Sequence, residues 1–248
     1  MSKTEHWLTP SWPAPKNIHA ATTFRSGGVS QNNFSSLNLA VHVGDNNERV
    51  LQNRNIIRDG LALPAEPVWL EQVHGNQAVD ASLAETLPHA DASYTNQSGI
   101  VCAVMTADCL PLLVCSKDGM QVAAIHAGWR GLLAGVITNT LTAMQASAAR
   151  ENFLVWLGPA IGPDCFEVGA EVREAFLEKS DQFDQAFKPQ HNGKWLADIY
   201  RLARSELAML GVGEVYGGGY CTFTEHERFY SFRRDRHTGR MATLIWRE

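Results

Sequence analysis

Three residues of this chain have the types and the placing to do chemistry at one centre: His74, Cys109 and His126. Each follows an apolar segment that reads as a strand, Pro67 to His74 for the first, Ile100 to Thr106 for the second and Met120 to Ile125 for the third. The C-terminal edges of strands are where α/β proteins place their sites. Two imidazoles and one thiolate hold zinc tetrahedrally and leave one position open, as a catalytic site requires, whereas structural zinc wants a fourth protein ligand. The same residues also permit chemistry without a metal. His126 would then lower the pKa of Cys109, Asp108 or Glu71 would orient the ring, and the thiolate would attack a carbonyl. A core thiol with two unrelated histidines is the third reading, and spacing does not separate the three.

The elements that must bring these groups together are a hairpin and a helix. Ser116-Lys117-Asp118-Gly119 supplies the polar and glycine residues of a hairpin loop. Pairing of Leu112 to Cys115 with Gln121 to Ile125 puts Cys109 and His126 near the same end of a sheet. Beyond His126, the apolar residues Leu132, Leu133, Val136, Ile137, Leu141 and Met144 predict one helix packed along one face. Its first amides and Arg130 would lie beside the imidazole, a place suited to phosphate or carboxylate.

The rest of the chain alternates strands and helices. Ile18 to Arg25 predicts a strand that delivers Arg25 into the turn Ser26-Gly27-Gly28. Asp45 is the expected cap of a helix from Asn46 to Asp59 with Val50, Leu51 and Ile57 facing inward. Asp91 reads as a turn or cap residue. Phe153 to Gly158 predicts a strand, and Ala170 to Lys179 and Leu196 to Leu210 predict helices. Gly217-Gly218-Gly219 lacks the downstream lysine of a phosphate loop and reads as a close backbone approach. Phe229 to Arg234 and Met241 to Trp246 are expected to close the chain as strands.

With 248 residues, 45% hydrophobic and 19% charged, the chain is long enough for a proper core and has no linker that argues for two domains. A net charge of -5, with no basic run beyond Arg233, Arg234 and Arg236, argues against a nucleic-acid surface. Met1 to Trp12 shows no export signal, and the longest apolar reach is broken by Asp108 and Pro111, so no membrane span is expected. Five dispersed cysteines without a C-x-x-C pair fit reduced thiols in a cytoplasm, with Cys102 and Cys115 as core packing. No protein interface declares itself.

Five separated blocks, WLEQVHG, TADCLPLL, HAGWRGL, GPAIG with CFEVG, and FYSFRRD with TGRMATLIW, resemble those of the bacterial laccase-domain family, also described as multicopper polyphenol oxidase-like or as laccase-domain purine nucleoside phosphorylases. FRSGGVS and SLNL near the start extend the likeness over nearly the whole chain, residues 1–248 as a single domain. The resemblance implies an α/β fold of mixed sheets sandwiched between helices in α/β/β/α layers, with zinc on His74, Cys109 and His126. It implies phosphorolysis of adenosine, inosine and methylthioadenosine with adenosine deaminase activity, and within the family also hydrolytic correction of a serine-containing peptidoglycan precursor. Arg25, Asn38 and Arg130 stand in matching blocks and are carried over as substrate or phosphate contacts. Copper is disfavoured, because multicopper oxidases need many histidines in His-x-His pairs and the nine here include none.

Three classes of function follow: a zinc enzyme acting on small purine nucleosides, a thiol hydrolase of a cell-wall precursor, and a non-catalytic binding or redox protein. Deamination needs a proton carrier, for which Glu71, Asp108 and Cys165 are the candidates, and phosphorolysis needs cations for a dianion, expected at Arg25 and Arg130.

Overall fold

The computed structural model describes residues 7–84, 86–144 and 150–248, so the first half of the N-terminal stretch read for an export signal lies outside the described residues. The elements begin with β1 (Trp7–Leu8), β2 (Ile18–Thr23), α1 (Asn47–Gly60), β3 (Ala78–Asp80), β4 (Ala92–Thr95) and β5 (Val101–Thr106). The central hairpin and its helices follow as β6 (Leu110–Ser116), β7 (Val122–Ala127), α2 (Trp129–Ala134) and α3 (Val136–Met144). Then come β8 (Phe153–Leu157), β9 (Glu167–Val168), α4 (Ala170–Lys179), β10 (Phe187–Pro189) and β11 (Trp195–Ala197). The chain closes with α5 (Ile199–Met209), β12 (Glu214–Gly217), α6 (Phe232–Asp235) and β13 (Met241–Arg247).

Two large sheets lie face to face. One is antiparallel, in the order β1-β2-β13-β5; the other is mixed, in the order β12-β8-β6-β7-β4-β3, with parallel pairs at both edges. A third, small sheet joins β10, β11 and β9. Strands β5, β6 and β7 are buried at every residue, which is why the sequence shows them as continuous apolar runs: both faces are covered. Along β5 the side chains alternate, Cys102 and Val104 packing on Leu113, Val122 and Trp156 of the other sheet, and Val101, Ala103 and Met105 packing with Ile57 of α1. The outer face of the mixed sheet, through Leu112, Val114 and Ile125, buries α3, α4 and α5 with Phe176 and Leu207. The layers are therefore α/β/β/α, and no described helix is long and apolar enough to cross a membrane.

The hairpin forms in the expected pairing, with Leu112 opposite Ile125 and Pro111 opposite His126. Elsewhere local chemistry overrides the expected elements. The helix after His126 is two helices, because Gly135 takes the left-handed conformation (φ +86°) and caps α2. Asn46, not Asp45, caps α1, its side chain accepting from Arg49 N at 3.1 Å; Leu51 is 55% exposed rather than inward. Asp45 instead accepts from Ser30 Oγ and Asn38 Nδ2. Residues 67–74 form only isolated bridges, Val68 to Cys102 and Glu71 to His89, instead of a strand. The helix expected from Leu196 starts at Ile199, with Asp198 as its cap, because Trp195–Ala197 pairs in β11. The expected strand from Phe229 to Arg234 is corrected too, since Ser231 Oγ accepts from Arg234 N and starts α6. Gly218 N donates to Leu157 O at 2.8 Å, the close backbone approach expected of the glycine run. All five cysteines are free, with Cys102 and Cys115 buried.

Candidate metal centre and its cavity

Strand register sets the first two groups. His126 lies within β7, opposite Pro111 of β6, and Cys109 immediately precedes β6, so the hairpin brings thiol and imidazole to one sheet end. His74 comes from outside the sheet, in a loop where its own φ is +60°. What holds that loop is Asp91, whose carboxylate accepts from Val73 N at 3.2 Å, His74 N at 2.9 Å and Gly75 N at 2.6 Å. The same carboxylate accepts from His126 Nδ1 at 2.7 Å, and Asp91 O accepts from His126 N. Asp91 is wholly buried, at the head of β4, and so ties together the two histidines that the sequence leaves far apart.

The hydrogen bond to Asp91 leaves His126 Nε2 for the centre. Donor atoms of His74, Cys109 and His126 all lie within 4.8 Å of one another, with Cys109 Sγ 3.8 Å from His74 Nε2 and the two imidazoles edge to face at 4.8 Å. Tetrahedral zinc with Zn–N near 2.0 Å and Zn–S near 2.3 Å needs donors about 3.3 to 3.6 Å apart, a small contraction from this arrangement. The residues fit such an ion. Backbone leaves room for it as well: a Cβ on Gly128 would stand 3.0 Å from Cys109 Sγ and 3.1 Å from His74 Cδ2. Gly128→Ala is therefore expected to weaken metal binding in a chelator competition while the melting temperature of the metal-free chain stays near that of the parent. Unchanged metal affinity would mean that the cradle is wider than drawn.

Electrostatics supports a paired thiolate when no metal is bound. Burial alone would raise the Cys109 thiol, but the charge and hydrogen bond of His126, with a further contribution from His74, bring it down to about 6. Burial would likewise lower His126, which the Cys109 thiolate and Asp91 instead raise to about 9. Cys102 and Cys115, in apolar surroundings, are pushed up to about 12. In metal-stripped protein, iodoacetamide labelling of Cys109 should accordingly rise with pH through about 6 and be near its plateau at neutrality, since the thiolate is the nucleophile. Cys102 and Cys115 should stay unlabelled until unfolding. A Cys109 profile that climbs only near the ordinary thiol value would contradict the pairing.

The centre opens into a cavity of about 320 Å³. Its apolar wall includes Met105, Trp129, Ile161, Phe166, Ile199 and Phe232; its polar lining includes His42, Asp108, Arg130, Arg233 and Arg240. Of the residues expected to act here, Asp108 and Arg130 line the cavity and Glu71, Arg25 and Asn38 do not. Asp108 does not orient His126: its carboxylate accepts from Thr222 Oγ1 and from Arg233 N, both at 2.6 Å, and its φ is +102°. Neither does Glu71, which pairs with His89 at 3.1 Å on the surface. Arg25 donates to Ser35 O and His226 O and stacks on Tyr230, so its cation is spent on joining two loops. Asn38 is wholly buried and accepts from Ala40 N and Arg240 N, a backbone tie behind the site. Cys165 lies outside the lining, next to Cys221.

Sequence reasoning missed Asp91, Arg233 and Arg240. Arg240 is largely buried, which lowers its pKa, and its Nη1 donates to Thr238 O and Gly239 O. Arg233 donates to Glu167 O and lies over Phe166. Both arginines sat in the FYSFRRD and TGRM blocks, but Arg233 was expected on a strand and Arg240 just before one, and neither position gave its side chain a direction.

Residues 19–248 match the family described as multi-copper polyphenol oxidoreductase laccase. The chain is 52% identical to the purine nucleoside phosphorylase YfiH of Shigella flexneri, covering 96% of this chain and 98% of that one. It is 51% identical to a purine nucleoside phosphorylase of Pseudomonas aeruginosa, over 97% and 98% of the two chains. Among solved structures, a Neisseria meningitidis protein superposes with a TM-score of 0.94 at 48% identity, covering 98% of this chain and all of that one. YlmD from Geobacillus stearothermophilus superposes with a TM-score of 0.92 at 30% identity over 100% and 98%.

Proposed function

Because the chain belongs to the laccase-domain family described as multi-copper polyphenol oxidoreductase laccase, with close relatives named purine nucleoside phosphorylase, we propose that it is a zinc-dependent purine nucleoside phosphorylase. Its substrates on this reading are adenosine, inosine and methylthioadenosine, and adenosine deamination accompanies phosphorolysis at the same centre. One observation carries the reading: a group of one thiol and two imidazoles faces the same cavity as three arginines, Arg130, Arg233 and Arg240. None of the three arginines has an ion-pair partner among the described residues. Cations left without carboxylates in a partly dry cavity are preorganised for an incoming dianion such as phosphate.

Zinc held by His74, Cys109 and His126 would supply Lewis acidity toward an oxygen nucleophile. The chain's own groups do the rest. Arg240, desolvated and fixed by two carbonyls, has its Nη2 and Nε left for phosphate, and Arg233 and Arg130 add charge from the rim. Trp129, Phe166 and Phe232 offer faces on which a purine stacks, and Phe232, 46% exposed, sits where a base can enter. Burial, together with the charges of Arg240 and Arg54, lowers the pKa of His42 on the cavity wall and favours its uncharged form. Asp108 is the only one of the three expected proton carriers on the cavity wall, and Arg233 N and Thr222 fix its direction.

A multicopper oxidase reading has less support, because the described residues contain one group of three metal donors and a multicopper centre needs several. The test is reversibility. Chelation should abolish inosine turnover and added zinc should restore it, since the thiolate must persist uncombined as a ligand. Activity that survives chelation and is blocked one-to-one by a thiol alkylator would instead make Cys109 a nucleophile and favour the serine-containing peptidoglycan precursor as substrate.

A further inference from the structure

A pair of thiols lies behind the cavity wall. Cys165 and Cys221 come from separate loops, are both partly exposed, and lie close enough for each sulfur to sense the other's charge. The loops are stitched closely: Gly162 N donates to Cys221 Sγ at 3.3 Å and Thr222 N to Ala160 O at 3.0 Å, while a turn from Gly162 O to Cys165 N at 3.0 Å holds Cys165 beside Gly162. A Cβ on Gly162 would stand 3.1 Å from Cys221 Sγ, so the glycine is what lets the two loops approach. The two sulfurs differ in character. Burial opposes ionisation of Cys221, but the Thr224 side chain and the backbone amides of Thr224, Gly162 and Phe223 bring its pKa below the ordinary value. Cys165 is raised to about 11, by burial first and then by Cys221 itself. Cys221 is thus the more readily ionised sulfur, at a partly open position, and its neighbour holds its proton more firmly.

We propose that Cys165 and Cys221 are a redox-active dithiol that a hydroperoxide converts to a disulfide, and that this modification acts on the adjacent catalytic cavity. In the first step the Cys221 thiolate attacks a peroxide oxygen; the O–O bond breaks, the sulfur becomes a sulfenic acid and water or an alcohol departs after taking up a proton. In the second, the Cys165 sulfur attacks that of Cys221, the S–O bond breaks, and the released hydroxide leaves as water with the Cys165 proton. Two thiols are oxidised and one peroxide is reduced. The route to the cavity is short. Thr222, next to Cys221, donates to Asp108 Oδ1 at 2.6 Å, and Ile161, next to Gly162, donates its N–H to Asp108 O at 2.9 Å. Asp108 and Ile161 both line the cavity, so a bond drawn between the loops pulls on two of its walls.

The zinc-loaded protein, in which Cys109 is a ligand, is to be treated with hydrogen peroxide, and its peptides compared with those of Cys165→Ser and Cys221→Ser. The expected product is a peptide linking residues 165 and 221 with a loss of about 2 Da, removed by dithiothreitol. It should be accompanied by a drop in inosine turnover that dithiothreitol reverses in the parent and that Cys165→Ser lacks. Cys165→Ser should instead accumulate a sulfenic acid at Cys221, trapped by dimedone. Peroxide-treated parent with no 165–221 link, or with the link and unchanged turnover, would overturn the proposal. Failure of the phosphorylase reading leaves the link itself measurable, because the peptide readout does not depend on the substrate.

Discussion

Asp91→Asn should lose metal affinity and fold stability together, although the residue touches neither substrate nor metal. The carboxylate accepts four hydrogen bonds, three from the backbone of the His74 loop and one from His126 Nδ1. An amide of the same shape presents an NH2 to at least one of these donors, frees the His74 loop and no longer fixes the tautomer that points Nε2 at the centre. Breaking a buried pair by removing one partner costs roughly 3–5 kcal/mol. Loss of the group that orients a ligating histidine lowers metal affinity about 10–100-fold. Urea denaturation of the metal-free chain and competition with a chelator measure the two separately. The pH dependence has a definite sign. Burial would raise the Asp91 carboxyl, but His126 and the amides of Gly75 and Val73 hold it below the ordinary carboxylate value. Its contribution is therefore complete above that ordinary value and fades as the pH falls through the depressed one. Parent and variant stabilities should converge in acid; a difference that persisted there would assign the loss to packing instead.

Arg240→Gln is expected to have the second large effect, confined to the anion. The side chain stays polar but ends two bonds short of the guanidinium nitrogens, and the charge that faces the cavity is lost. A charge-assisted hydrogen bond is worth about 1.5–3 kcal/mol, so the apparent KM for phosphate should rise by about tenfold to a hundredfold, and that for inosine much less. Arg25→Gln is the informative contrast. Its guanidinium already donates to Ser35 O and His226 O away from the cavity, so phosphate dependence should be unchanged even if stability falls. Equal effects on phosphate and nucleoside from Arg240→Gln would mean that it holds the cavity's shape and not the dianion.

The divide between what was legible in the sequence and what was not follows the range of the interactions. The hairpin carrying Cys109 and His126 was readable because apolar runs and a Ser-Lys-Asp-Gly turn are local signals, and the pairing they imply is the one formed. The three residues that could hold a metal were readable as types, because each is a lone chemical group at the end of an apolar segment. His74 nevertheless arrives on a loop and not a strand, and the reason it arrives at all is Asp91, whose action depends on β4 lying beside β7. No local pattern carries that pairing, so Asp91 was read as a turn residue. Arg25 and Asn38 show the converse. Their blocks mark the site's neighbourhood, but only the three-dimensional arrangement distinguishes a residue that lines the cavity from one that braces the loop behind it. Phe229 to Arg234 was misread because aromatic residues raise strand propensity while a single serine cap, Ser231, decides the helix that aims Arg233 N at Asp108.

Inosine turnover by the zinc-replete protein, followed as a function of inorganic phosphate, tests the central claim most directly. The account predicts hypoxanthine and ribose 1-phosphate in equal amounts, with a rate that saturates in phosphate and falls to background without it. Hypoxanthine released at the same rate in the absence of phosphate, or no release at all from protein carrying one zinc per chain, would contradict it.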